Sequence, residues 1–221
     1  ADEGLQTIAL AGHIDLGERK AVPSLKRRMD FAKAVGAEIV HTNATQKSNK
    51  DIFFSNMEAL AEFAANMEMT IALENPGDGE DALIDSGKAG AAVIQKIGSD
   101  CIRLNYDASN VYSYSQGRVL PEADISYALP YAAHIHFKDM KKTEGGWLFS
   151  EIGKGVINYP EIFHALSHHV DILPTSIEFP KNFRRKDDFS PQMNPSPPGL
   201  SDIKKINKGS METIVNGLSL S

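Results

Sequence analysis

The sequence predicts an α/β fold built from parallel βα units, and three observations lead to this prediction. Six short runs rich in β-forming residues end in polar residues, and their starts recur about every 31 residues until a longer last interval. Amphipathic helical patterns lie between these runs. Within the runs, side chains alternate between apolar and polar. Alternation of strand and helix at this period is typical of a doubly wound sheet or a barrel.

The alternation within the predicted strands favours the barrel. The strands are Thr7–His13, Ala37–Asn43, Thr70–Asn75, Cys101–Asp107, Ala133–Asp139 and Ser176–Phe179. One phase is apolar and should face the helices: Ile8, Leu10, Val40, Ile71, Leu73, Ile102, Leu104, Ile135, Phe137, Ile177 and Phe179. The other phase is polar near the C-terminal ends: His13, His41, Asn43, Glu74, Asn105, Asp107, His134, His136, Lys138 and Glu178. Polar groups in phase on six strands predict one shared mouth, where barrel enzymes keep their active sites.

Two helices can be placed from their apolar faces. The first face consists of Leu25, Met29, Ala32 and Val35. Pro23 and Ser24 suit the start of this helix, and Gly36 suits its end. The second face consists of Phe53, Met57, Leu60 and Ala64. Both patterns have the spacing of a helix that covers a sheet on one side.

The number of units is smaller than a complete barrel requires. A (β/α)8 barrel has eight units and usually about 250 residues, whereas six units fill these 221 residues. We therefore expect a single domain over residues 1–221 that lacks the first two βα units, with a gap between the Thr7 and Ser176 strands. An open six-stranded sheet is the alternative. The proline-rich segment Phe179–Leu200 is predicted to be a loop over the mouth, and Met211–Leu220 a last short helix.

Composition limits the classes of partner. The net charge of −6 disfavours nucleic acid and anionic membranes, because both require a basic face. The single cysteine, Cys101, cannot form an internal disulfide and suits a reducing compartment. We find neither a signal peptide pattern nor a run of about 20 apolar residues. These observations predict a cytoplasmic protein with a small-molecule substrate. Exposed strand edges in a partial barrel are compatible with a homo-oligomer.

The inward-facing residues include a set of groups that bind metals. Two glutamates, one aspartate and one histidine provide oxygen and nitrogen atoms for one divalent ion such as Mn²⁺, Co²⁺, Zn²⁺ or Mg²⁺. Such an ion can polarise two neighbouring substrate oxygens and acidify the C–H bond beside a carbonyl. This chemistry underlies aldose–ketose isomerisation and ketose epimerisation.

Five motifs resemble the xylose-isomerase-like superfamily of (β/α)8 barrels, in the order in which that superfamily has them. They are Leu73–Asn75, Asn105–Asn110, His134–Asp139, Ser176–Glu178 and the glycine-containing turn Gly153–Tyr159. The resemblance extends from about Thr7 to the end of the chain. It implies a metal-dependent sugar isomerase or epimerase that acts on a sugar or a sugar phosphate.

The resemblance also assigns roles to residues. The metal ligands on its fifth to eighth strands correspond to Glu74, Asp107, His136 and Glu178. By analogy with ketose epimerases, Glu74 and Glu178 exchange protons on opposite faces of the substrate through an enediolate. Lys138 is expected either to stabilise the enediolate oxygen or to pair with a carboxylate.

Further inward or neighbouring residues are candidate substrate contacts. They are His13, His41, Asn105, His134 and Arg184. His134 lies one pleat below His136 and is expected to be either a partner of that ligand or a core histidine. Arg184 and its neighbour Arg185 suit a phosphate group, since arginine presents a bidentate fork. The alternative is that both arginines lie on a solvated loop.

Three other functions are alternatives to a sugar isomerase or epimerase. A lyase of the same superfamily, which dehydrates a keto-inositol or dehydroshikimate, would use the same ligands. A non-catalytic sugar sensor would keep the barrel fold and bind a sugar without converting it. An apurinic endonuclease with three zinc ions requires a histidine where Asn110 stands and an Asp-x-His pair where Trp147 and Phe149 stand. The sequence therefore argues against the endonuclease.

Overall fold

A computed structural model describes residues 4–219, which contain a curved parallel sheet with helices packed on its outer side. Strands are numbered here in chain order. The parallel sheet consists of β1 (Ala9–Ala11), β2 (Ile39–Asn43), β3 (Thr70–Glu74), β4 (Ile102–Asp107), β5 (Ala132–Phe137) and β8 (Thr175–Ile177). Neighbours along the chain are neighbours in the sheet, and every pair is parallel. The prediction of six adjacent parallel strands is confirmed.

The sheet is open, with β1 and β8 as its edges in the described part of the chain. This is the arrangement expected of a (β/α)8 barrel without its first two units. One outward residue was assigned wrongly: Ile8 is 51% exposed, because it precedes the edge strand β1 and has a strand neighbour on one side only. On the central strands the outward residues Val40, Ile71 and Leu73 are fully buried, as predicted.

Seven helices occur within residues 4–219, and the first three pack on β2, β3 and β4. They are α1 (Ala21–Ala34), α2 (Lys50–Met67), α3 (Gly87–Ile97), α4 (Ala108–Tyr114), α5 (Pro121–Ala128), α6 (Tyr159–Ser167) and α7 (Leu200–Ser219). The predicted apolar face of α2 is fully buried. On α1 the prediction was wrong for Val35, which lies past the helix end and is 40% exposed. There the chain turns at Gly36, whose φ of +82° favours glycine.

A second, antiparallel sheet was missed by the sequence analysis. It consists of β6 (Asp139–Thr143), β7 (Gly146–Ser150), β9 (Phe183–Arg185) and β10 (Pro191–Met193), in the order β10-β9-β7-β6. The segment Phe179–Leu200, which was predicted to be a loop over the mouth, does lie at the mouth but contains the short strands β9 and β10, which were not predicted. Strands of three residues, as in β9 and β10, are too short to show a period in the sequence.

The C-terminal helix is longer than predicted. Helix α7 begins at Leu200, eleven residues before the predicted start at Met211, and the predicted last residue, Leu220, lies outside the described residues. Helix α7 packs against α6. No helix within residues 4–219 has both the length and the apolar character needed to cross a membrane.

Candidate functional site

Four of the inward-facing residues converge at the C-terminal mouth of the parallel sheet. Glu74 ends β3, Asp107 ends β4, His136 lies on β5, and Glu178 follows β8. Each offers one ligand atom within 4.8 Å of the others. His136 Nδ1 is 3.1 Å from Glu74 Oε1 and 3.8 Å from Glu178 Oε2. The four groups predicted to share an ion are thus close enough to do so.

The ammonium group of Lys138 lies among these carboxylates. Its Nζ is 2.9 Å from Asp107 Oδ2 and also forms an ion pair with Glu178 Oε2. Lys138 follows β5, and its backbone is held by the buried hydroxyl of Tyr159, which accepts from Lys138 N and donates to Lys138 O. A cation is therefore built into the protein beside two of the candidate ligands.

The electrostatics of the site separate the carboxylates. Burial raises the pKa of Asp107 to about 6, and the ammonium of Lys138 offsets this only in part. Burial also opposes ionisation of Glu74, but the imidazoles of His136 and His41 hold its pKa well below its ordinary value. Asp107 is the harder group to ionise because it is completely buried, whereas the side chain of Glu178 is 38% exposed.

The basic groups of the site have shifted pKa values as well. Burial lowers the pKa of the Lys138 ammonium, but Asp107 and Glu178 outweigh this effect and raise the pKa above its ordinary value. Burial acts in the same direction on His136, and its hydrogen bond with Glu74 raises its pKa on balance. The site therefore holds both cations and anions in a poorly solvated space.

Glu74 Oε2 and His41 Nδ1 are among the buried atoms of the site that form no hydrogen bond within residues 4–219. They lie 3.6 Å apart. Buried polar groups are rarely left unpaired in native proteins. Unpaired atoms beside a cluster of oxygen and nitrogen ligands fit a site that takes up an ion or a polar ligand.

Two asparagines that the sequence analysis did not assign to the site orient its ligands. Asn75 uses its side-chain amide to pair with the backbone of Asp107, donating to Asp107 O at 2.9 Å and accepting from Asp107 N at 3.0 Å. Asn110 Nδ2 donates to Asn75 O at 3.0 Å and lies 3.4 Å from Glu74 Oε1. The Asn75 that follows Glu74 is the sequence signal that was available for this role.

His134 and Asn105, predicted to contact substrate, lie below the ligands. His134 Nδ1 donates to Asn105 Oδ1 at 2.9 Å, and His134 Nε2 accepts from Ser176 Oγ at 2.8 Å. Burial lowers the pKa of His134 to about 3, which keeps its imidazole neutral. Both residues are almost completely buried, and neither lines the cavity at the mouth.

A cavity of about 430 Å³ opens above the ligands. Its lining includes the candidate ligands Glu74 and Glu178, together with Lys138, His13, Arg184 and Arg185. His13 is exposed, and its ring centroid is 5.3 Å from that of the buried His41. His13, His41 and Glu74 also bring ligand atoms within 4.8 Å of one another. Two predicted substrate contacts, His13 and Arg184, therefore lie at the cavity.

The turn between β7 and α6 is anchored by a buried carboxylate. Asp139 accepts backbone hydrogen bonds from Gly153 at 3.0 Å, Gly155 at 2.9 Å and Ile157 at 3.2 Å. A Cβ at Gly155 would overlap Asp139 Oδ1 and the carbonyl oxygen of Met140. Gly155 thus leaves the space that the turn requires, and Gly153 adopts a φ of +80°, which favours glycine.

Gly155→Ala is expected to destabilise the protein by about 3 kcal/mol, because overpacking in a closed site commonly costs 1–3 kcal/mol and hydrogen bonds to Asp139 would also lengthen. Urea unfolding followed by circular dichroism measures this change. Lys154→Ala, at the exposed neighbour, is the control and should alter the unfolding free energy little. Equal stability of both variants would contradict the assigned role of the turn.

Comparison with known families agrees with this arrangement. Residues 2–189 match the model of the xylose isomerase-like TIM barrel family. The chain belongs to that family. The match includes β1–β8, and hence all four candidate ligands. No curated protein sequence matches the chain.

Solved structures share the fold at low sequence identity. A xylose isomerase-like TIM barrel protein from Mycobacterium smegmatis, in complex with magnesium, has a TM-score of 0.73 and 18% identity, and the match covers 98% of this chain and 76% of that one. An L-ribulose 3-epimerase has a TM-score of 0.69 and 19% identity, and the match covers 99% of this chain and 77% of that one. The probable 3-DHS dehydratase AsbF from Bacillus anthracis has a TM-score of 0.71 and 16% identity, and the match covers 97% of this chain and 78% of that one. The family fold thus carries both epimerases and a probable dehydratase.

Proposed function

We propose that this protein is a divalent-metal-dependent sugar isomerase or epimerase that transfers a proton beside a carbonyl group through an enediolate. The observation that carries the proposal is the convergence of Glu74, Asp107, His136 and Glu178 within 4.8 Å at the mouth of the sheet. Two of these groups are glutamates at the floor of a cavity that has room for a monosaccharide.

The four converging residues are the proposed ligands of one ion, Mn²⁺, Co²⁺, Mg²⁺ or Zn²⁺. Three carboxylates and an imidazole suit ions of this kind, and the unpaired Glu74 Oε2 indicates unused binding capacity. When bound, the ion would polarise substrate oxygens and acidify the neighbouring C–H bond. The protein's own contribution is to hold the ligands close together before binding, through Asn75 and Asn110.

Glu74 and Glu178 are the proposed proton-transfer groups. Their pKa values lie below the ordinary value, because hydrogen bonds and neighbouring cations outweigh the effect of burial. Both are therefore ionised at neutral pH, which is the state that accepts a proton. Lys138 Nζ, beside Glu178, is the proposed donor to the oxygen on which negative charge develops.

His13, His41 and Arg184 remain the proposed substrate contacts. His13 and Arg184 line the cavity, and the unpaired Nδ1 of His41 is a polar atom that a substrate hydroxyl would satisfy. Asn105 and His134 are proposed to act through His41, since the rings of His134 and His41 are stacked with centroids 5.8 Å apart.

Hydrogen exchange in D₂O tests the proposed function. Protein loaded with Mn²⁺ is incubated with a panel of ketoses and ketose phosphates, and deuterium incorporation is followed by proton NMR. Incorporation at a carbon beside the carbonyl, with formation of an aldose or an epimer, is the expected result. Loss of water would instead indicate the lyase, and binding without exchange would indicate a sensor.

The affinity for Mn²⁺ is expected to fall as the pH is lowered through 6. Burial raises the pKa of Asp107 to about 6 and His136 also has a raised pKa, so both bind protons that the ion must displace. Each displaced proton weakens binding by about tenfold per pH unit below its pKa. Calorimetric titration between pH 5 and 8 measures the effect. A constant affinity over that range would contradict the assignment of these ligands.

Three residues, one on α4 and two on β7, bear on the endonuclease alternative. Asn110 donates to the carbonyl oxygen of Asn75, and the Trp147 ring stacks on Phe189 with centroids 4.8 Å apart. Phe149 lines the cavity. These three residues stand where the endonuclease needs metal ligands, and they support packing and an apolar wall instead. We therefore favour a small sugar over DNA as the substrate.

A further inference from the structure

Arg185 is a buried arginine that is only partly paired. It lies on β9 of the antiparallel sheet, is 8% exposed, and lines the cavity above the candidate ligands. Its Nη1 donates to Phe189 O at 3.1 Å and lies 3.5 Å from Asp78 Oδ2. Its Nε has no hydrogen-bond partner within residues 4–219. One end of the guanidinium is thus tethered, while the other is not satisfied by the protein.

The unpaired part is the edge formed by Nε and Nη2. This edge carries two parallel N–H bonds and matches the two oxygens of a carboxylate or phosphate. Within the described chain, the side-chain hydrogen bonds of Arg185 both use Nη1. A buried donor without an acceptor is destabilising, so few such groups persist in native proteins unless they serve another purpose such as ligand binding.

The position of this edge is set by close packing against the loop after β3. A Cβ placed on Gly77 would lie 2.5 Å from Arg185 Nη2 and would also overlap Asn110 Oδ1. The absence of a side chain at Gly77 therefore leaves room for both Arg185 Nη2 and the side-chain amide of Asn110, and Asn110 Nδ2 is itself 3.4 Å from Glu74 Oε1. Arg185 is thus brought from a distant strand to the edge of the candidate metal site.

The charges around the cavity also favour an anion. Three basic residues, Lys138, Arg184 and Arg185, line it together with Glu74, Asp78 and Glu178. A bound divalent ion would leave this group with excess positive charge, even when the buried Asp107 is included. The Nε of Arg184 also lacks a hydrogen-bond partner in the described part of the chain.

We propose that Arg185 binds a carboxylate or phosphate group of the substrate through its Nε–Nη2 edge, so that the protein acts on a sugar acid or a sugar phosphate in preference to a neutral sugar. This inference rests on the proposed function for its substrate class, but the anion site itself does not depend on turnover. If Arg185 served only to tether the antiparallel sheet through Asp78 and Phe189, its removal would lower stability and leave anion binding unchanged.

The anion site is tested without sugar, so that no catalysis is involved, on metal-free protein and on protein loaded with diamagnetic Mg²⁺. Inorganic phosphate and, separately, acetate are titrated at constant ionic strength, and the arginine Nε–H signals are followed by ¹⁵N NMR. The Nε–H signal of Arg185 is expected to shift saturably with phosphate, acetate or both. The anion that gives the stronger shift identifies the favoured substrate group. An unchanged signal with both anions would overturn the proposal.

Variants identify the arginine that is responsible. Arg185→Gln is expected to weaken binding of the shifting anion by about 10–100-fold, since a charge-assisted hydrogen bond contributes about 1.5–3 kcal/mol. Arg185→Lys keeps the charge without the fork and should lose part of the affinity. Lys186→Gln, at the exposed next residue, should leave affinity unchanged. If Arg185→Gln folds and binds the anion with unaltered affinity, the proposal is overturned. If Arg185→Gln does not fold, unaltered affinity in Arg185→Lys would overturn it.

A second measurement separates this inference from the proposed function. Metal-loaded protein is assayed with D-ribulose 5-phosphate and D-ribulose, and with D-glucuronate and D-glucose. Saturable anion binding at Arg185 without any sugar turnover would support the anion site and contradict the isomerase. Turnover of the phosphorylated or acidic sugar with undiminished efficiency in Arg185→Gln would support the isomerase and contradict the anion site.

Discussion

Glu178→Gln is expected to lower the turnover number by about 10²–10⁴-fold, the usual contribution of a general acid–base group. Glutamine has nearly the same shape, but its neutral amide cannot accept a proton from the substrate carbon. Substrate binding should change only a few fold, because the cavity keeps its volume. The measurement is steady-state kinetics at saturating Mn²⁺, so that any loss of metal affinity is compensated.

The control for this substitution is Glu161→Gln, which removes an exposed carboxylate on α6 that does not line the cavity. Its kinetics should match those of the unaltered protein. Stability of Glu178→Gln should change little, since the side chain of Glu178 is 38% exposed and Lys138 keeps its contact with Asp107. A Glu178→Gln variant with turnover near the original value would show that another group transfers the proton.

Asp107→Asn is expected to weaken Mn²⁺ binding by at least about 100-fold, more than is usual for loss of an outer partner of a metal ligand. The substitution removes the negative charge of Asp107, whose side chain is completely buried. It keeps an oxygen for the cap of α4, where Asp107 Oδ1 accepts from Asn110 N at 2.8 Å. Asp107→Ala would also lose this cap, at a cost of about 1 kcal/mol.

The matched control is Asp124→Asn. Asp124 is another buried aspartate and accepts from the backbone of Gly87 at 2.6 Å and of Lys88 at 3.2 Å at the start of α3. Its loss should lower the unfolding temperature and leave the calorimetric affinity for Mn²⁺ unchanged. If both variants bound Mn²⁺ as tightly as the original protein, Asp107 would not be a ligand.

The parallel sheet and the group of residues at its mouth could be predicted from the sequence alone. In a strand, side chains alternate with a period of two, and the C-terminal ends of adjacent parallel strands meet at one edge. Local patterns such as Ile71–Glu74 and Ile102–Asp107 therefore contain enough information to bring Glu74 and Asp107 together. The number of βα units, six where a complete barrel has eight, likewise predicted an open sheet.

The pairing of the polar groups could not be predicted from the sequence, because it depends on contacts between distant parts of the chain. The contact between Trp147 on β7 and Arg185 on β9 joins residues far apart in the sequence, and it determines that Arg185, and not Arg184, is the more deeply buried arginine. Three-residue strands have no readable period, so β9 and β10 resembled a loop. The pairing of Lys138 with Asp107, and the clamp of Asn75 on the Asp107 backbone, depend on distances between strands. Sequence spacing specifies the face on which a residue lies, whereas those distances are set by packing of the whole fold.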